Sequence, residues 1–192
     1  MKNLHYILFA SAIAFYACSN SRSNDPVNNA EQANKDKDTS GSITASDKDD
    51  ADFLVEAASG GMMEVALGNA AQSKSQNARV KDFGTMMVND HTKANDELKT
   101  LAAGKNISVP LAMGDDDQKM VDKLMEKTGN DFDKAYMDMM VDDHKKDIDK
   151  FQKTSDKAKD TDIKAFASKT LPVLQKHLES AMVLKDEVDK NK

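Results

Sequence analysis

The sequence predicts an all-α protein arranged as a four-helix bundle. Apolar residues recur at helical spacing in four stretches of about 22–30 residues, each long enough to carry an amphipathic stripe. No stretch alternates convincingly with period two, and only three prolines interrupt 192 residues. Hydrophobic residues make up 39% and charged residues 31%, with no Trp, as expected for a small helical domain with a well-solvated surface.

The first long helix is predicted over 50–73, with the stripe Phe53, Ala57, Gly60, Glu64, Leu67 and Ala71. Asp49, Asp50 and Asp52 place negative charge where a helix N-terminus favours it. Gly60 and Gly61 in mid-helix each cost about 1 kcal/mol relative to Ala, which is tolerable where a neighbouring helix packs close. The second helix is predicted over 77–103, with Val80, Gly84, Met87, His91, Ala94, Leu98 and Leu101 on its stripe and Gly104 placed to stop it. The segment KNISVPLAMGDDD then reads as a loop, Pro110 favouring an extended residue before it. A short helix follows within DDDQKMVDKLMEKTG. The third long helix, 131–155, carries Phe132, Tyr136, Met140, His144, Ile148 and Phe151. The fourth, 161–190, carries Ile163, Ala167, Leu171, Leu174, His177, Leu178, Ala181, Leu184 and Val188, and Pro172 is expected to kink or restart it. The long connection between the second and third long helices, with its own short helix, fits a crossover of ferritin-like topology. A five-helix meander is the alternative.

The N-terminal part has a different composition. Lys2 precedes an apolar run from Tyr6 to Ala17, too short to span a bilayer but of signal-peptide length. Cys18, the only cysteine, follows directly, so no intrachain disulfide can form. This pattern predicts a lipoprotein signal over 1–17 and a lipid-carrying Cys18, although Phe15 and Tyr16 stand where that signal prefers an aliphatic and a small residue. Residues 19–48 are rich in Ser, Asn, Asp and Lys and predict a flexible polar tether to a bundle domain over 49–190. The expected location is the bacterial cell envelope, at the periplasmic or surface face of the outer membrane. The net charge of −6 and the lack of a basic patch or phosphate-binding loop exclude nucleic acid as an expected partner. No protein partner is indicated.

One word is written twice. MMVNDHTKAND begins at Met86 and MMVDDHKKDID at Met139, 53 positions later. His91 and His144 fall on the apolar stripes, three or four residues after a stripe Met. His177 lies on the stripe of the fourth helix and Glu64 on that of the first, so each long helix brings one titratable group inward. Such groups build the metal sites of bundles, and methionine beside imidazole suits copper(I) better than magnesium or calcium. Three observations oppose a site. Val88, Val141 and Leu174 stand three residues before the histidines, so the Glu-x-x-His motif of di-iron bundles is absent. Asp90 and Asp143 are offset by about 100° from the adjacent histidines and are not expected to share a cluster with them. Counted from the first turn, Glu64 and His91 fall at heights roughly 9 Å apart. The favoured reading is therefore packing: hydrogen-bonded core histidines with methionine filling the space around them. A transition-metal site of Glu64, His91, His144 and His177 is the alternative. No nucleophile has a paired base, so no catalytic residue and no cofactor are expected.

Three blocks carry a family resemblance: DFLVEAASGGMMEVALGNAAQSKSQNARVKDFGTMMVNDHTKANDELKTLA, FDKAYMDMMVDDHKKDIDKF and TLPVLQKHLESA. Over about residues 50–188 the chain resembles the domain of unknown function 4142 family. That resemblance implies a ferritin-like helical bundle, an export signal and an outer-membrane label, and it brings no activity and no catalytic residues. Together these features predict a lipid-anchored, non-enzymatic envelope protein, with a metal-binding bundle or an envelope interaction module as alternatives.

Overall fold

A computed structural model describes residues 25–41 and 48–190. The described residues form six helices and no strand: α1 (Pro26–Thr39), α2 (Lys48–Lys74), α3 (Ala78–Gly104), α4 (Asp115–Met125), α5 (Gly129–Lys157) and α6 (Thr161–Lys190). The expected signal peptide and Cys18 lie outside the described residues. No described helix is long and apolar enough to cross a membrane.

The four long helices start and stop on local chemistry. Asn77 caps α3 by accepting from the Arg79 amide at 3.0 Å. Asp160 does the same for α6, accepting from the amides of Asp162 and Ile163 at 2.9 and 3.1 Å. Asp50, expected only to favour the start of its own helix, is buried and also accepts from the amides of Lys159 and Asp160, so one carboxylate ties α2 to the start of α6. Helix α3 ends at Gly104 as expected, but the left-handed residue of the turn is Asn106, with φ 56°. Pro172 sits on the exposed side of α6, which remains one helix through it, because water can serve the carbonyl that loses its donor.

Helix α2 packs along α3 and α5 along α6; α3 also meets α6, and α2 meets α5. The α2–α3 contact is backbone to backbone. A Cβ added to Gly68 would lie 2.8 Å from the Gly84 carbonyl oxygen, and one added to Gly61 would strike Asn95. Close packing thus explains Gly61 but not Gly60, which has open space around it.

The core is divided. One apolar cluster holds Leu67, Phe83, Met87, Phe132, Tyr136 and Met140, and the other holds Phe53, Leu54, Leu98, Phe151, Phe166 and Leu174. In each of α3, α5 and α6 the histidine lies in sequence between residues of the two clusters, and in α2 Glu64 does so too, between Ala58 and Leu67.

The stretch expected as a tether over 19–48 contains a helix where the chain is described. Pro26–Thr39 form α1, capped by Asp25 and started by Pro26 at its first turn, and α1 packs on α2. Its docking is mostly polar. Buried Asn34 donates to the Ser108 carbonyl at 2.8 Å and accepts from the Ser108 amide at 2.7 Å. Lys37 donates to the Asn106 carbonyl at 3.0 Å and to the Ser108 hydroxyl at 2.8 Å. A segment held this way has no apolar stripe to reveal it.

Candidate metal centre

The four residues singled out from the sequence meet. Glu64, His91, His144 and His177 are all buried, with relative exposures of 1%, 6%, 0% and 0%. His91 Nδ1 lies 2.6 Å from Glu64 Oε2, His144 Nε2 lies 3.5 Å from Glu64 Oε1, and His144 Nε2 lies 3.3 Å from His177 Nδ1. The three imidazoles surround a common point, with ring centroids 5.2 to 5.8 Å apart.

The expected height mismatch between Glu64 and His91 is absent, for a reason in side-chain direction. Helices α2 and α3 are joined by the short 75–77 turn, and every Cβ tilts toward the N-terminus of its own helix. Glu64 therefore reaches away from the turn and His91 reaches toward it, and the two converge. The aspartates beside His91 and His144 also join the cluster, despite their angular offset. A step of about 100° from an inward histidine points along the seam with the next helix, where a half-exposed aspartate still reaches that helix. Asp90 accepts from His177 Nε2 at 2.9 Å across the α3–α6 seam. Asp143 offers an oxygen to a group with Glu64 and His144 in which all candidate ligand atoms lie within 4.8 Å of one another. The repeated Asp-His pair was the sequence signal for both aspartates.

Proton placement follows from the outer partners. His144 Nδ1 lies 2.9 Å from the Met140 carbonyl oxygen, which can only accept, so Nδ1 carries the proton and Nε2 presents its lone pair. The Asp90 carboxylate likewise takes the proton of His177 Nε2, leaving the Nδ1 lone pair free. Burial lowers His91 to about 4 and His144 to about 3, the latter helped by the other two imidazoles. Burial also lowers His177, opposed by its hydrogen bond to Asp90. All three are thus neutral near pH 7, and two lone pairs face each other at 3.3 Å with no proton between them. Burial raises Glu64 well above the usual carboxylate range, with Asp147 and Asp117 adding to it. Asp143 is raised first by burial and then by Glu64, Asp147 and Asp117. Glu64 Oε1, His91 Nε2, Asp143 Oδ2 and the Tyr136 hydroxyl are buried without a hydrogen-bond partner. Glu64 Oε1, His91 Nε2 and Asp143 Oδ2 are thus buried, unpartnered atoms of the kinds that ligate a transition metal.

The family described as "Domain of unknown function (DUF4142)" matches residues 35–184. The chain belongs to this family. The match begins inside α1, so family membership reaches into the stretch read as a tether. No curated protein and no solved structure matches the chain.

Proposed function

We propose that this DUF4142 protein binds one divalent transition-metal ion in its core through His91, His144, His177 and Glu64, within a four-helix bundle of ferritin-like topology. The single observation that carries the reading is the confrontation of His144 Nε2 and His177 Nδ1 at 3.3 Å. Two neutral imidazoles with their protons engaged elsewhere repel at that distance unless a cation lies between them. A tetrahedral ion bound at about 2.0–2.1 Å from each nitrogen holds its ligands about 3.3–3.4 Å apart. The outer partners fit as well. Metal-bound histidines donate their second N–H to a carbonyl or carboxylate, the roles of Met140 and Asp90 here. Three imidazoles and a carboxylate suit zinc, iron, nickel or copper(II) better than magnesium or calcium. The three imidazoles offer ligand atoms that all lie within 4.8 Å of one another, and Glu64 joins His144 and Asp143 in a second such group, an arrangement that favours holding a metal ion in the core.

The ferritin-like reading draws on two helix pairs, α2–α3 and α5–α6, joined by a long connection that contains α4. The site differs from a di-iron centre because Val88, Val141 and Leu174 occupy the positions where Glu-x-x-His would place carboxylates. Envelope location belongs to the same proposal. It rests on the apolar run that ends at Ala17, directly before Cys18, and a Cys18→Ser variant that stays with membranes at unchanged mass would remove that part.

The test is elemental analysis of protein purified without a histidine tag, alone and as the His144→Ala plus His177→Ala variant. The expected result is about one transition-metal ion per chain in the parent and none in the variant. A metal-free parent whose melting temperature ignores micromolar zinc, iron and copper would return the cluster to a packing role.

A further inference from the structure

A cavity of about 320 Å³ opens where α2, α4 and α5 meet the start of α1. Its wall includes the carboxyl groups of Glu56, Asp116, Asp117, Asp143 and Asp147. The one basic residue in the lining, Lys150, is held by Glu56 at 2.7 Å. The carboxylates are graded in depth. Asp116 has a side chain 94% exposed, Asp117 is half-buried and hydrogen-bonded to Ser59, and Asp143 reaches the interior. Asp143 Oδ2 is buried with no partner. Its next neighbours inward are Glu64 and His144, and Glu64, 1% exposed, also aims an unpartnered Oε1 at this group. The surface cavities over α3 and α6, lined by Phe166 and Lys169 or by Arg79 and Glu179, contain none of these residues.

We infer that this acidic well is the path by which a hydrated divalent cation reaches the buried site, with Asp117 and Asp147 receiving it and Asp143 passing it to Glu64 and His144. The inference rests on the metal-binding reading above. A buried site inside a helical core needs a polar way in, because an ion does not shed its water into an apolar wall. A cleft lined by one sign of charge with low-dielectric walls concentrates counter-ions and raises their association rate by about 10–10³-fold. The same carboxylates crowd one another when empty, and an arriving cation relieves that repulsion.

The test follows loading of metal-free full chain with zinc ion alone, by stopped flow, in parent and Asp117→Asn plus Asp147→Asn. The expected result is a loading rate at least about ten-fold lower in the variant, with the final ion count unchanged. In the parent the rate should fall steeply with added salt, a measurement that needs no variant. Asp96→Asn, a neutralisation at an exposed position of α3, should load like the parent. A double variant that loads at the parental rate, or a parental rate insensitive to salt, overturns the path and leaves the metal site standing. A parent that takes up no zinc at equilibrium overturns both.

Discussion

Gly68 and Gly84 touch through their backbones: a Cβ on either would sit 2.7 to 2.8 Å from the other's carbonyl oxygen. That contact fixes how close α2 and α3 run, and so how Glu64 meets His91. Gly84→Ala forces the helices apart, since backbone has no rotamer to yield. The expected loss is about 1–3 kcal/mol, reduced by the better helix propensity of Ala. Gly60→Ala, with nothing within 4 Å of the new methyl group, should instead stabilise by about 0.5–1 kcal/mol. Urea denaturation of both variants checks the pair, and equal effects would contradict the close approach.

Asn34 predicts the worth of α1. Its amide makes both hydrogen bonds to Ser108 from a buried position, so Asn34→Ala leaves a half-buried carbonyl and a half-buried amide without these partners. The expected cost is about 1–3 kcal/mol, read as a fall of several degrees in melting temperature. Unchanged melting would mean that residues 26–39 behave as the spacer their composition suggests.

The contrast between α1 and the long helices shows what hydropathy can reveal. Stripes such as Phe132, Tyr136, Met140, His144 and Phe151 announce a buried face, and all five are buried. In α1 only Ala30 and Asn34 are buried, so docking by hydrogen bonds left no periodic trace. The same limit applies at the site. That Glu64, His91, His144 and His177 face inward was legible from phase. That they meet was not, because helix heights alone do not carry the opposite tilts of side chains on antiparallel neighbours. The aspartates were missed because an offset of about 100° still lets a half-exposed side chain reach across the seam to a neighbouring helix.

Glu64→Gln separates metal binding from packing. The amide keeps the shape of the carboxyl group and can still hydrogen-bond His91, while removing a carboxylate that burial disfavours. Metal-free stability should therefore stay within about 1 kcal/mol of the parent or rise. The rise in melting temperature on adding metal should shrink markedly, because a neutral amide is a poor ligand for a divalent ion. A residue kept only for packing would show the reverse, a loss of metal-free stability and no change in metal response.

The pH dependence of the metal-free protein follows from proton counting. Glu64 and Asp143 have raised pKa values, so the folded chain holds protons there that the unfolded chain has released. For such groups stability is lost as pH rises through the folded values, so acidification from about pH 8 strengthens the fold. The Glu64–His91 contact holds one proton whichever group carries it, so this count does not depend on the placement. The histidines act in the opposite sense. Their folded values lie below 6.5, so from that point downward the unfolded chain binds protons that the folded chain refuses. Three histidines outweigh Glu64 and Asp143 there, with Asp147, raised by burial but drawn down by Lys150 and His91, offsetting part of the excess. Stability therefore falls with further acidification until the folded histidine values are reached. The expected curve is a maximum near about pH 6, with lower urea midpoints at about pH 5 and about pH 8. Saturating metal should deepen the fall on the acid side, since protons compete for the same lone pairs. A midpoint rising steadily from about pH 5 to 8 would mean that Glu64 and Asp143 are ionised in the fold, with His91 charged beside them.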